Sequence, residues 1–143
     1  MLMMVPWIVA VVVTPLISFC FLPSSLAMSD EMKELAQMLH KTCVDETGVA
    51  EELIEKVNKE KVFVDDENLK CYVKCLMAQM ACIDDDGIID EEAVIAVLPE
   101  EFQAEATPVV HACGTIIGKN ACENAWLTHK CYQEKAPDGY ILV

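Results

Sequence analysis

Apolar side chains recur every three or four residues along this chain, and no run alternates for long enough to argue for a sheet. Met32, Leu35, Ala36 and Leu39 form one helical stripe, and Val49, Leu53, Ile54 and Val57 form a second, shorter one. The clearest stripe comes next: Leu69, Tyr72, Val73, Leu76, Met77 and Met80, with Asp65 or Asp66 placed to cap it. Asp84 to Gly87 reads as a turn, after which Asp90 caps a short helix carrying Val94, Val97 and Leu98 that Pro99 ends. A fifth helix is expected between Pro99 and Gly118, disturbed or started afresh near Pro108. A sixth covers Ala121 to about Glu134 before Ala136-Pro137-Asp138-Gly139 breaks it. The apolar tail Tyr140-Ile141-Leu142-Val143 follows. The pattern predicts an all-α fold, a compact bundle of about six helices.

Charge is distributed unevenly. Met1 to Ala27 carries no acidic or basic side chain, its apolar run is broken by Pro6, Pro15 and Pro23, and Ser25-Leu26-Ala27 has the small-x-small pattern of a signal peptidase site. A stretch of this length could nearly span a bilayer, but three prolines and a small-residue exit suit a removed leader better than a stable span. Residues 1–27 are therefore expected to be a signal peptide and 28–143 a single secreted domain, with no stable membrane insertion after cleavage. That domain holds all 24 acidic and ten basic side chains, a net charge of -14 that repels phosphate backbones and makes nucleic-acid binding improbable.

Cleavage would remove Cys20 and leave Cys43, Cys71, Cys75, Cys82, Cys113, Cys122 and Cys131. In a secreted chain of this size these read as a disulfide framework, for which six cysteines allow fifteen pairings. Zinc is a poor alternative, because no Cys-x2-Cys pair exists. Cys71 and Cys75 lie one turn apart on one helix face, so two bridges can leave one helix toward two neighbours. Cys82 reads as a buried, inert thiol.

The order Cys43-x27-Cys71-x3-Cys75-x37-Cys113-x8-Cys122-x8-Cys131 resembles the six-cysteine signature of the insect odorant-binding proteins, and its x3 and x8 intervals are the specific part. Leu39-His40, Thr47-Gly48-Val49, Leu69-Lys70-Cys71-Tyr72, Asp85-Asp86-Gly87, Leu98-Pro99, His129-Lys130-Cys131 and the closing tail agree with it. The resemblance implies the pairings Cys43–Cys75, Cys71–Cys122 and Cys113–Cys131 and a bundle around an apolar cavity. It also implies a non-enzymatic, extracellular carrier of small volatile or semi-volatile apolar ligands, without cofactor or metal. Such a carrier acts as a monomer or weak homodimer and serves an olfactory receptor from the sensillum lymph. Relatives with a short tail hold its terminal carboxylate through the equivalents of His40 and Tyr72, which here implies a pH-sensitive lid ending at Val143.

The ligand-facing set expected from the stripes is Met32, Leu35, Leu39, Leu76, Met77, Met80, Val94, Leu98, Val109 and Val110, none of them charged. Methionines adapt to irregular shapes, so several related molecules would fit. The resemblance places Tyr132 at the position of an aromatic pocket residue, with Trp126 packing nearby, and Tyr140 and Ile141 are expected to complete the wall from the tail. Burying about ten methylenes yields roughly 8 kcal/mol gross, which is about what a micromolar complex needs. The competing expectation is a secreted interaction domain in which the same stripes only pack. The loop Cys82 to Ala93 lacks the first Asp and last Glu of a calcium loop. His111 and His129 read as ordinary polar positions.

Overall fold

The computed structural model describes residues 29–143, so the expected leader lies outside the described residues. Six helices follow in order: α1 (Asp30–Thr47), α2 (Glu51–Glu60), α3 (Glu67–Gln79), α4 (Glu91–Val97), α5 (Glu100–Cys113) and α6 (Ala121–Lys135). Within those residues the β-structure is one isolated bridge, Ile83 to Ile89, closing the acidic turn. None of these helices is long and apolar enough to cross a membrane.

Side-chain caps set four of the six starts. Ser29, Asp66, Asp90 and Asn120 accept from the amides of Met32, Leu69, Ala93 and Glu123, each satisfying an orphan donor of a first turn. Asp66, not Asp65, caps α3, which frees Asp65 to meet Lys70. Gly48 ends α1 in the left-handed conformation at φ 66°, and its N–H donates to the Val44 carbonyl. One expectation fails. Pro108 does not interrupt α5, because it lies on the exposed face of a helix that continues to Cys113 and ends at Gly114. The missing N–H costs one bond there, while the Thr107 hydroxyl donates to the Gln103 carbonyl at 2.6 Å.

α3 is the central strut. Leu69, Lys70, Tyr72, Val73, Cys75, Leu76 and Met77 are all buried on it, and it packs most extensively against α6 and α1. Those two contacts carry the bridges Cys71–Cys122 and Cys43–Cys75, and Cys113–Cys131 ties α5 to α6. By loop closure each bridge is worth about 3 to 4 kcal/mol. Beside the α3–α6 contact the buried Lys70 ammonium meets Asp65 at 2.6 Å and Glu67 and Glu123 at 3.1 Å, and it sits 5.2 Å from the Trp126 ring centre. Its hydrogen bond to Asp65 is the main reason that Lys70 holds its proton more tightly than an ordinary lysine.

Candidate ligand site and closing tail

The interior is divided into two apolar clusters. The larger joins α1, α2, α3 and α6 through residues including Leu39, Val57, Phe63, Leu76, Met77 and Trp126. The smaller holds Val110, Cys113 and Tyr132, with Val109 and Ile95 against them. Val94 and Tyr140 pack on both, so they mark the seam between the two. The expected ligand-facing residues fall on either side of it. Leu39, Leu76, Met77 and Trp126 are buried in the larger cluster, with Met80 partly buried against it; Val110 and Tyr132 are buried in the smaller. Met32 and Leu98 are half-buried near the ends of their helices. Leu35, 48 % exposed, and Ile141, 72 % exposed, face outward.

Two surface clefts lie away from the seam. One of about 380 Å³ runs beside the Cys71–Cys122 bridge and is lined partly by Glu46, Asn68 and Lys74. The other, about 260 Å³, lies against the Asp84–Asp90 turn.

Inside, polar atoms are nearly all paired. Lys70 has its carboxylates, Asn124 accepts from Gly118 and donates to Gly87, and Thr128 accepts from Ile116. The indole Nε1 of Trp126 and the hydroxyl of Tyr132 are the exceptions, buried with no hydrogen-bond partner among the described residues. An orphaned buried donor costs about 1 to 3 kcal/mol. Both stand on α6, on either side of His129.

The tail folds back across the seam and is fastened at three points. Tyr140 lays its ring 5.9 Å from Phe63 and 5.8 Å from His129, and its hydroxyl bonds His129 Nδ1 at 2.7 Å. Leu142 is buried and exchanges two bonds with Asn58, whose amide donates to the Leu142 carbonyl at 2.7 Å and accepts from the Leu142 N–H at 2.8 Å. The Tyr72 hydroxyl donates to the main-chain oxygen of Val143. His40 stands behind Tyr72 and not against Val143: its Nδ1 lies 2.9 Å from the Tyr72 hydroxyl and its Nε2 2.9 Å from Glu51. The pair of contacts expected on Val143 is thus a relay through Tyr72.

Residues 26–135 match the PBP/GOBP family. The chain belongs to it. General odorant-binding protein 69a of Drosophila melanogaster is 32 % identical over 119 residues, 82 % of this chain and 80 % of that protein. Among solved structures, Locusta migratoria odorant-binding protein 1 is similar at 34 % identity and a TM-score of 0.69, covering 75 % of this chain and 83 % of that one. Odorant-binding protein 7 of Anopheles gambiae is 27 % identical with a TM-score of 0.68, covering 76 % and 89 %. The three bridges are the pairings that resemblance to these insect proteins implied.

Several contributors in this PBP/GOBP member escape sequence reading. His129 is no ordinary polar position. Its ring is enclosed between Tyr132 and Tyr140, and burial alone lowers its pKa to about 4. Burial likewise pushes the Tyr72, Tyr132 and Tyr140 hydroxyls up, with Glu51 adding to the effect at Tyr72 and Glu91 at Tyr132. All three stay protonated and available as donors. Asn58 and Phe63 hold the tail, yet no periodicity marks an asparagine for a chain end 84 residues away. Cys82 is free and buried as expected, its thiol pushed up by burial and by Asp90.

Proposed function

We propose that this PBP/GOBP family member is a secreted carrier that takes up small hydrophobic ligands in the seam between its two apolar clusters, carries them in an extracellular fluid and delivers them to chemosensory receptors. The observation that carries the reading is the meeting of uncharged residues from α3, α4, α5 and α6 at a seam crossed by a tail that packs through Tyr140 and Leu142 and is fastened by hydrogen bonds. Leu76, Met77, Val94, Val110 and Tyr132 are the wall of the proposed site, and Tyr140 is its cover. The related Anopheles gambiae protein was solved in complex with an azo compound, which supports a small-molecule site in this chain. Three cross-links supply stability that a smaller solid core would otherwise provide, so the interior can open without loss of the fold.

Release is coupled to acidity through the tail. A charged His129 ring inside the seam is unfavourable until water reaches it, and lifting Tyr140 supplies that water. A second reading, a secreted interaction domain with a filled core, draws on the two clefts lying at the surface. Displacement of N-phenyl-1-naphthylamine separates the two. A carrier takes up the dye in its native, oxidised state and yields it to apolar competitors; a filled domain takes up none.

A further inference from the structure

We infer that the larger surface cleft is a second binding site, separate from the apolar seam, and that its ligand is a small zwitterion of the free amino-acid class. Its walls come from three helices: Glu46 stands on α1, Asn68, Lys74 and Gln79 stand on α3, and Cys122 stands on α6. Two bridges are part of the lining, one through Cys75 and one through Cys71 and Cys122. Cys43–Cys75 fixes α1 to α3 and Cys71–Cys122 fixes α3 to α6, so covalent bonds set the spacing of the walls. At about 380 Å³ the cleft lies near the lower end of the range of ligand pockets, about 300 to 1,000 Å³. A cleft with tied walls exists before its ligand arrives, which lowers the ordering cost of binding.

Two opposite charges in this cleft are unanswered. Among the buried and half-buried lysines, Lys70 and Lys56 hold carboxylates, and Lys130 stands over the Trp126 ring, 5.6 Å from its centre. Half-buried Lys74 has neither kind of partner among the described residues. Glu46 makes no ion pair there either. One oxygen of its carboxylate lies 3.4 Å from the Cys75 sulfur, which is bridged and has no proton to give. Lys74 and Glu46 thus share one cleft without pairing with each other, and a ligand can stand between them.

Chemistry selects the ligand. The Lys74 ammonium only donates and answers an anionic group, while the Glu46 carboxylate only accepts and answers an ammonium. A simple anion would meet Glu46 and a chain of net charge -14, and a simple cation would meet Lys74. A zwitterion is neutral overall and answers both. Quaternary ammonium groups are ordinarily held in aromatic cages, and this lining contains no aromatic ring, so a primary ammonium is the better fit. The side-chain amides of Asn68 and Gln79, also in the lining, add neutral donors and acceptors for a small polar side chain.

The test is titration of the oxidised, ¹⁵N-labelled protein with L-serine, N-acetyl-L-serine and L-serine methyl ester. Serine is expected to move the backbone amide resonances of Thr47, Asn68, Lys74 and Gln79 saturably, with a dissociation constant of about 1 mM, and to leave those of Val110 and Tyr132 in place. The acetyl form lacks the ammonium and the ester lacks the carboxylate. Each is expected to bind about fivefold more weakly, the size of one partly exposed ionic contact. Lys74→Met is expected to abolish the preference for serine over the ester, and Glu46→Gln the preference over the acetyl form, whereas Lys74→Arg keeps both. The three-compound comparison on the native chain decides without any variant. Cleft resonances indifferent to serine, equal binding of all three compounds, or preferences that survive both Lys74→Met and Glu46→Gln overturn the inference. Dye uptake in the seam is a separate measurement, so the carrier reading stands or falls independently.

Discussion

Tyr72 has one hydroxyl proton and two neighbours that can receive it, the Nδ1 of His40 at 2.9 Å and the main-chain oxygen of Val143. The Glu51 carboxylate has no proton to give, so its 2.9 Å contact needs a proton on His40 Nε2. The Tyr72 proton goes to Val143, and the hydroxyl oxygen is what His40 Nδ1 meets.

Tyr72→Phe removes the donor to Val143 and with it that hold on the chain end. Tyr72→Phe is expected to lower the hydrogen-exchange protection of the Leu142 amide about fivefold to tenfold. His40→Ala should retain most of it, because the donor to Val143 is Tyr72.

Asn58→Ala removes two hydrogen bonds to Leu142 at once. About 1 to 3 kcal/mol of tail docking should go with them. Faster dye release with a little-changed melting temperature of the whole fold is the expected signature, because the cost falls on the closing segment.

The His129 end of the tail is sensitive to acid. Burial lowers its folded pKa to about 4, against about 6.5 in the unfolded chain, so the unfolded state binds the extra proton first. Stability from this group is complete above about pH 6.5 and declines as the pH falls toward about 4. Thermal melts of His129→Gln across that interval should show a flatter acid decline than the native chain.

Replacing Cys71 and Cys122 together by Ser opens the largest loop, a separation of 51 residues. The loss should be about 4 kcal/mol in denaturant melts. Cys82, by contrast, is expected to resist alkylation in the native state and to react once unfolded, which mass spectrometry after iodoacetamide measures.

Helix number, the α3 cap region and the short α4 were legible because periodicity and Asp or Asn caps are local signals. Pro108 misled because its penalty depends on which helix face meets solvent, a tertiary fact. The apolar stripes were legible, but a stripe does not say which of its members meets the core, so Leu35 and Ile141 were grouped with side chains that are buried. Within the tail, Leu142 is the residue turned inward, since extended residues alternate and Asn58 fixes the register. Asn58, Phe63 and His129 were illegible for a common reason. Their partners come from the tail, and no helical spacing rule relates them.

The three bridges link the helices in the series α1, α3, α6, α5 and pass over α2 and α4. α4 contributes no buried residue, while Asn58 of α2 grips the tail. The molecule is therefore a covalent spine with two unriveted flaps. Displacing α2 or α4 breaks only noncovalent contacts, whereas separating α1, α3, α5 and α6 from one another would break a bridge.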